Sequence, residues 1–355
     1  MLIVDAHLDL AWNALDWNRD LLRPVSEIRA RECELKMTGK GRGENTVAFP
    51  DLRRGGVGLF IATLLARLLR PNLMPTIQRY ERMEAAYAAA HGQMTYYRLL
   101  EQQGVLRWIK DVPTLDAHVA AWNKNPQSEP LGFILSMEGA DPVLSPEQVE
   151  EWYQAGLRII GPAHYGVSPY AHGTGTEGGL FPRGPALLKE MQRVGMILDV
   201  THLSDQCFDE ALDIYGGPVL ASHHNCRALV PGSARCKTDE EIRKVTAAGG
   251  VIGVTMVRYF VSSGSSATIE NVLDHIDHVA QLAGVEHAGI GSDVDLQGRD
   301  WRSHPSKRND LDGINYERKI YDLTEGLVRR KYSDRDIQLI LGGNFQRALG
   351  EIWAV

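Results

Sequence analysis

Four apolar runs between residues 4 and 223 end in side chains that bind divalent cations. They are Val4-Asp5-Ala6-His7-Leu8-Asp9, Ile134-Leu135-Ser136-Met137-Glu138, Ile197-Leu198-Asp199-Val200-Thr201-His202 and Val219-Leu220-Ala221-Ser222-His223. Together they offer the imidazoles of His7, His202 and His223 and the carboxylates of Asp9 and Glu138, a donor set that suits zinc and tolerates manganese or cobalt. His7 and Asp9 stand two apart, so on a regular strand they share a face and reach one ion together. Glu138 precedes Gly139, where the backbone can turn sharply, and its two oxygens can bridge two cations that would otherwise repel. A single His at the end of an apolar run is more often a satisfied polar residue; two, on consecutive candidate strands, weaken that alternative.

Two further polar residues close apolar runs: His164 after Leu157 to Ala163, and Asp293 after Ala288-Gly289-Ile290-Gly291-Ser292. With five ligands already assigned, they read as a donor to a developing oxyanion and as a general base or proton shuttle. The plainer alternatives are a loop-anchoring hydrogen bond for His164 and a helix cap for Asp293.

The elements that must position these groups follow from apolar continuity. Runs at 2–10, 57–66, 131–138, 157–164, 196–202, 218–223, 249–256 and 287–294 suit strands buried on both faces. Helical patterns fall at 75–103, 184–194, 204–214, 238–248 and 268–283, followed by a helical tail at 315–331 and 334–353. This alternation predicts a parallel (β/α)8 TIM barrel rather than an open doubly wound sheet, with the site at the carboxyl ends of the strands. Stretches 18–54, 165–183 and 296–313 lack periodicity and read as loop insertions over the active-site face of one domain spanning 1–355.

Composition narrows the class. The 355 residues are 44% hydrophobic and 23% charged with a formal net charge of -7, which leaves no electrostatic footprint for nucleic acid. Cys33, Cys207, Cys226 and Cys236 show no CxxC spacing and read as reduced thiols. No run of about eighteen apolar residues suggests a membrane span, and a candidate ligand at His7 leaves no room for a leader, so a cytoplasmic protein is expected.

These segments resemble, nearly end to end, the membrane dipeptidase (renal dipeptidase) family of the amidohydrolase superfamily. DAHLDL is similar to the family's D-x-H-x-D-L opening, SMEGAD to its glutamate segment, and GMILDVTHLS and PVLASHHNCRAL to its two histidine segments. GIGSDVD is similar to the acidic segment of the final strand, and GGNFQR to the C-terminal Gly-Asn segment. The resemblance implies a distorted barrel of the metal-dependent hydrolase type with two Zn2+ ions: Glu138 bridges, His7 and Asp9 complete one site, and His202 and His223 complete the other. It also implies hydrolysis of L-Xaa-L/D-Xaa dipeptides, with tolerance of a C-terminal D residue, by a hydroxide held between the metals. In that reading Asp293 shuttles the proton, His164 contacts the substrate, and Arg235 binds the substrate carboxylate, with Arg227 a competing candidate. A homodimer is common in the family. A related amidohydrolase acting on N-acyl amino acids, lactones or cyclic amides would use the same groups, and a catalytically silent metal-binding barrel is the remaining alternative. The chain departs from the family pattern after Asp293. There Val294 replaces an aromatic, and a loop with Arg299, Trp301, Arg302, His304, Lys307 and Arg308 would favour acidic or bulky side chains unless it is only solvated surface.

Overall fold

The computed structural model describes residues 1–39, 41–69, 79–264, 267–294 and 316–354. Eight strands among them fall inside the eight expected runs: β1 (Ile3–Leu8), β2 (Val57–Leu64), β3 (Leu131–Glu138), β4 (Leu157–Gly161), β5 (Ile197–Asp199), β6 (Val219–Leu220), β7 (Ile252–Val254) and β8 (Ala288–Ile290). Each lies parallel to the next, with β6 and β7 joined through the bridge between Ala221 and Ile252. Every residue of β1, β2 and β3 is buried. Helices cover the outer face and the barrel interior is filled, so the strands read as unbroken apolar runs. The result is a TIM-barrel-like α/β fold.

The helices are set by their ends. Helix Asp205–Ile214 starts at Ser204, whose hydroxyl accepts from the Cys207 amide, and helix Asp239–Ala247 starts at a capping box of Thr238 and Glu241. Helix Gly184–Val194 stops at Gly195, which takes the left-handed conformation that a side chain disfavours. The main hydrophobic core among the described residues runs from Leu2 to Leu349, beside a small separate cluster of Trp12, Trp17 and Leu65.

Between β8 and β1 the described residues show no backbone ladder, and other contacts close the barrel. The Ser292 amide donates to Asp5 Oδ1 at 2.9 Å and its hydroxyl donates to Oδ2 at 2.5 Å. Gly342, from the expected Gly-Asn segment, packs so tightly against β1 that a Cβ there would lie 2.9 Å from both Leu2 O and Val4 N. Asn344 of the same segment donates to the carbonyls of Val285 and Ala288, both at 2.7 Å. That segment therefore works as a wedge at the closure.

Several expectations need correction. Strand β1 ends at Leu8, and Asp9 is the N-cap of helix Leu10–Asp16, so His7 and Asp9 do not share a strand face. Segment 18–54 is not a loop: it folds into helices Val25–Glu34 and Phe49–Arg54. The first escaped notice because its inner face holds buried Glu32, neutralised by Arg19 and Arg42, where periodicity looks for an apolar side chain. In the second, Arg53 donates to the carbonyls of Pro126 and Glu129, which precede β3, so this helix lies at the amino end of β3. Helices Val112–Lys124 and Val149–Ala155 had no counterpart in the expected pattern. The helix expected at 75–103 is seen as Met83–Gln102. The insertion expected at 296–313, with its basic residues 299–308, lies outside the described residues.

Candidate metal centre

Glu138, the last residue of β3, is the hub of the site. Its Oε1 lies 3.1 Å from His202 Nε2, 3.3 Å from His223 Nε2, 3.5 Å from His164 Nε2 and 3.6 Å from His7 Nε2. Asp9 Oδ1 is 3.8 Å from His7 Nε2, and Asp293 Oδ2 is 3.9 Å from His223 Nε2. The donor atoms form overlapping groups compact enough for an ion: His7, Asp9 and Glu138; Glu138, His164 and His202; His7, His223 and Asp293. All seven side chains are thus brought together from the ends of β1, β3, β4, β5, β6 and β8. The four histidines and Glu138 are buried; Asp9 and Asp293 are partly exposed.

The turns that follow the strands aim these side chains. His202 and Asp293 both hold the left-handed conformation, at φ 70° and 47°. Such backbone is uncommon outside glycine and persists where its surroundings enforce it. Gly291 must be glycine, because a Cβ there would lie 1.8 Å from the Ser222 carbonyl oxygen.

Hydroxyl partners decide which imidazole nitrogen faces the cluster. Ser222 Oγ donates to Asp199 Oδ2 at 2.5 Å, so toward His223 Nδ1, 2.8 Å away, it accepts. Thr174 Oγ1 donates to the His202 carbonyl at 3.3 Å and accepts from His202 Nδ1 at 2.9 Å. In both histidines the proton then sits on Nδ1 and the Nε2 lone pair is offered to the cluster, the form that binds a cation. Sequence reasoning missed Asp5, Arg67, Thr174, Asp199 and Ser222. One signal was present: Asp5 lies two residues before His7, and Ser222 and Ser292 immediately precede His223 and Asp293. Segment 165–183, expected as an insertion over the site, supplies Thr174 and is held by bridges between Tyr165 and Thr174 and between Val167 and His172.

The electrostatics of the cluster follow from burial and from the charges packed into it. Burial pushes His164, His202 and His223 well below the usual imidazole range, and nearby cationic groups, Arg235 among them, push the same way. Burial raises the Glu138 carboxyl. His7 is raised against the effect of its burial, chiefly by the carboxylates of Glu138 and Asp9. Among the described residues, His7 Nε2 and Asp9 Oδ1 are buried without a hydrogen-bond partner. Unpartnered buried polar atoms beside neutral imidazoles and crowded carboxylates fit divalent cations.

Arg235 is buried next to the cluster. Its Nη2 donates to the His223 carbonyl at 2.8 Å, its Nη1 to His224 Nδ1 at 3.1 Å, and its guanidinium lies over the Phe260 ring. Arg227, the competing candidate, is instead committed to Asp205 through two bonds of 2.6 Å.

A parallel barrel whose strands end in a buried cluster of histidines and carboxylates is the architecture of a metal-dependent hydrolase. The chain belongs to the membrane dipeptidase family (peptidase family M19), whose family model matches residues 1–355. Over 206 residues it is 30% identical to dipeptidase tcpJ of Claviceps purpurea, a match covering 57% of this chain and 46% of that protein. The matched part is therefore about half the length of that relative. Over 315 residues it is 27% identical to dipeptidase aclJ of Aspergillus oryzae, covering 86% of this chain and 70% of the relative. A solved metallopeptidase from Rhodobacter sphaeroides, liganded with a phosphinate mimic of the dipeptide L-Ala-D-Ala, superimposes with a TM-score of 0.76 at 21% identity, covering 99% of each chain. Among the described residues, no helix is long and apolar enough to cross a membrane.

Proposed function

We propose that the chain is a binuclear zinc dipeptidase acting on L-Xaa-L/D-Xaa dipeptides. The observation that carries this reading is the convergence of four imidazole Nε2 atoms within 3.6 Å of Glu138 Oε1, with Arg235 bonded to the carbonyl of one of those histidines. His7, Asp9 and Glu138 would hold one cation, and Glu138, His202 and His223 the other. Two bound cations supply Lewis acidity toward the scissile carbonyl and bring the pKa of water from about 15.7 towards about 7.

The chain's own residues do the rest. Arg235 receives the substrate's free carboxylate with two parallel N–H donors, which selects a chain end one residue beyond the scissile bond. His164 donates to the carbonyl oxygen as it gains charge. Asp293, partly exposed at the end of β8, takes the proton from the attacking water and returns it to the leaving amine. Tolerance of a D residue is supported by the bound mimic of L-Ala-D-Ala in the Rhodobacter sphaeroides protein.

Hydrolysis rates on L-Ala-D-Ala, L-Ala-L-Ala, N-acetyl amino acids and a lactone, measured with the metal content of the same sample, test this reading. Dipeptide turnover with close to two zinc ions per chain is expected. Faster turnover of N-acyl amino acids or lactones would replace the dipeptidase assignment, and undiminished turnover after chelation would reject the metal mechanism.

A further inference from the structure

We propose that Arg67 is a positioning residue that fixes His164 in the tautomer with its proton on Nε2, so that this nitrogen faces the substrate as a donor. The inference rests on the reading above that His164 touches the substrate.

Arg67 begins the short strand Arg67–Leu68 just after β2 and is 4% exposed. Its Nη1 lies 2.6 Å from His164 Nδ1. A guanidinium has five N–H donors and no acceptor, and it does not deprotonate in proteins. The bond therefore has one direction: Arg67 donates and Nδ1 accepts. A neutral imidazole that accepts at Nδ1 carries its proton on Nε2. With Nδ1 held as an acceptor, the single remaining ring proton leaves His164 neutral.

The contrast with the other histidines is chemical rather than positional. His202 and His223 face hydroxyls that accept from Nδ1–H, which leaves Nε2 bare. His164 faces a guanidinium, which leaves Nε2 protonated. Distances alone would place His164 in an ion-binding group with Glu138 and His202. It can offer its Nε2 lone pair there only by giving up the bond from Arg67. The backbone that carries the arginine is itself anchored, because the amide of Leu68 donates to buried Asp141 at 3.0 Å. One residue thus separates the hydrogen-bond donor from the ligands.

The test is a double-mutant cycle on the whole chain, loaded with zinc, with L-Ala-L-Ala as probe, read as kcat, KM and bound zinc. Because the donor acts most strongly on the transition state, Arg67→Met is expected to lower kcat about tenfold or more, with KM and zinc content within about twofold. In a His164→Asn background the same substitution should change kcat by less than about twofold, since an effect carried through His164 has nothing left to act on. Arg67→Lys, which can still donate to Nδ1, should keep kcat within about threefold of the parent. Nitrogen-15 NMR of the histidine-labelled zinc enzyme should place the His164 proton on Nε2 in the parent and in Arg67→Lys. A proton on Nδ1 in the parent, additive losses in the two backgrounds, or a kcat loss that tracks lost zinc would each overturn the proposal. Unchanged kcat in His164→Asn alone would instead remove the substrate contact and the catalytic half of the proposal, while the NMR result still judges the tautomer. If Arg67→Met does not fold, Arg67→Lys and the parent spectrum decide.

Discussion

The same clamp is built at two places on the barrel. On β5, Asp199 Oδ1 accepts from the amides of Thr201 and Ser222 at 3.0 and 3.1 Å, and Oδ2 accepts the Ser222 hydroxyl at 2.5 Å. On β1, Asp5 Oδ1 accepts from the amides of His7 and Ser292 at 3.2 and 2.9 Å, and Oδ2 accepts the Ser292 hydroxyl at 2.5 Å. Each serine immediately precedes a residue of the site, His223 in one case and Asp293 in the other. The surroundings differ. Strands β5 and β6 are also paired through Leu198 with Val219 and Asp199 with Leu220. Strands β8 and β1 show no such ladder among the described residues. Ser222 has an added role as well, because its oxygen accepts from His223 Nδ1 and so sets which nitrogen of this proposed metal ligand faces the cluster. Where backbone pairing already joins the strands, the clamp is free to orient chemistry; where pairing is missing, it helps hold the barrel closed.

The centre that both clamps serve should give the largest response. Glu138→Gln removes the charge shared by both halves of the cluster, so activity should fall to background and zinc content should drop with it. Retained zinc in a dead enzyme would show that Glu138 is not the shared ligand. Next in size is Asp293→Asn, which should lower kcat by about 10²–10⁴-fold while zinc stays bound. Its oxygen stands 3.9 Å from His223 Nε2, in one of the groups compact enough to hold an ion. Zinc lost in parallel with activity would therefore make Asp293 a ligand rather than the proton shuttle.

What could be read in the sequence follows the same division. Strands of a parallel barrel are buried on both faces, so β1 to β8 stand out as apolar runs, and the metal-binding or acidic residue at the end of six of them, all but β2 and β7, is conspicuous. The geometry gathers His7, Asp9, Glu138, His164, His202, His223 and Asp293 on that basis. Groups acting through tertiary hydrogen bonds left little trace: Arg67 meets His164 across 97 positions, and Thr174 meets His202 across 28. The bland reading of a buried histidine holds elsewhere in the barrel. His118 faces the Gly58 carbonyl at 2.8 Å, and His275 receives the Cys226 amide and faces the Val261 carbonyl, both at 3.1 Å. Helix Val25–Glu34 was hidden because its inner face carries the ion-paired Glu32 after Val25 and Ile28, which cuts the apolar stripe short.

The third effect separates the two clamps. Ser222→Ala removes the acceptor that keeps the His223 proton on Nδ1. The imidazole can then change tautomer or turn, and zinc should bind about 10–100-fold more weakly, as titration against a chelator would show.

The smallest effect is expected from the same change at the other clamp. Ser292→Ala takes the hydroxyl from Asp5 Oδ2 but leaves the two amides on Oδ1, so the carboxylate stays in place with one donor fewer at a closure without a ladder. Taking a donor from a buried acceptor costs about 1–3 kcal/mol, so stability to denaturant should fall by that amount. Zinc affinity should stay within about twofold, because among the described residues the Ser292 hydroxyl bonds to Asp5 and not to a ring of the cluster, as Ser222 does to His223. Equal losses of zinc affinity in Ser222→Ala and Ser292→Ala would mean that the clamps act alike and that the contrast in their surroundings has no consequence. Weaker folding with intact zinc binding at Ser292 would fix the closure as a matter of strength and the β5–β6 clamp as a matter of chemistry.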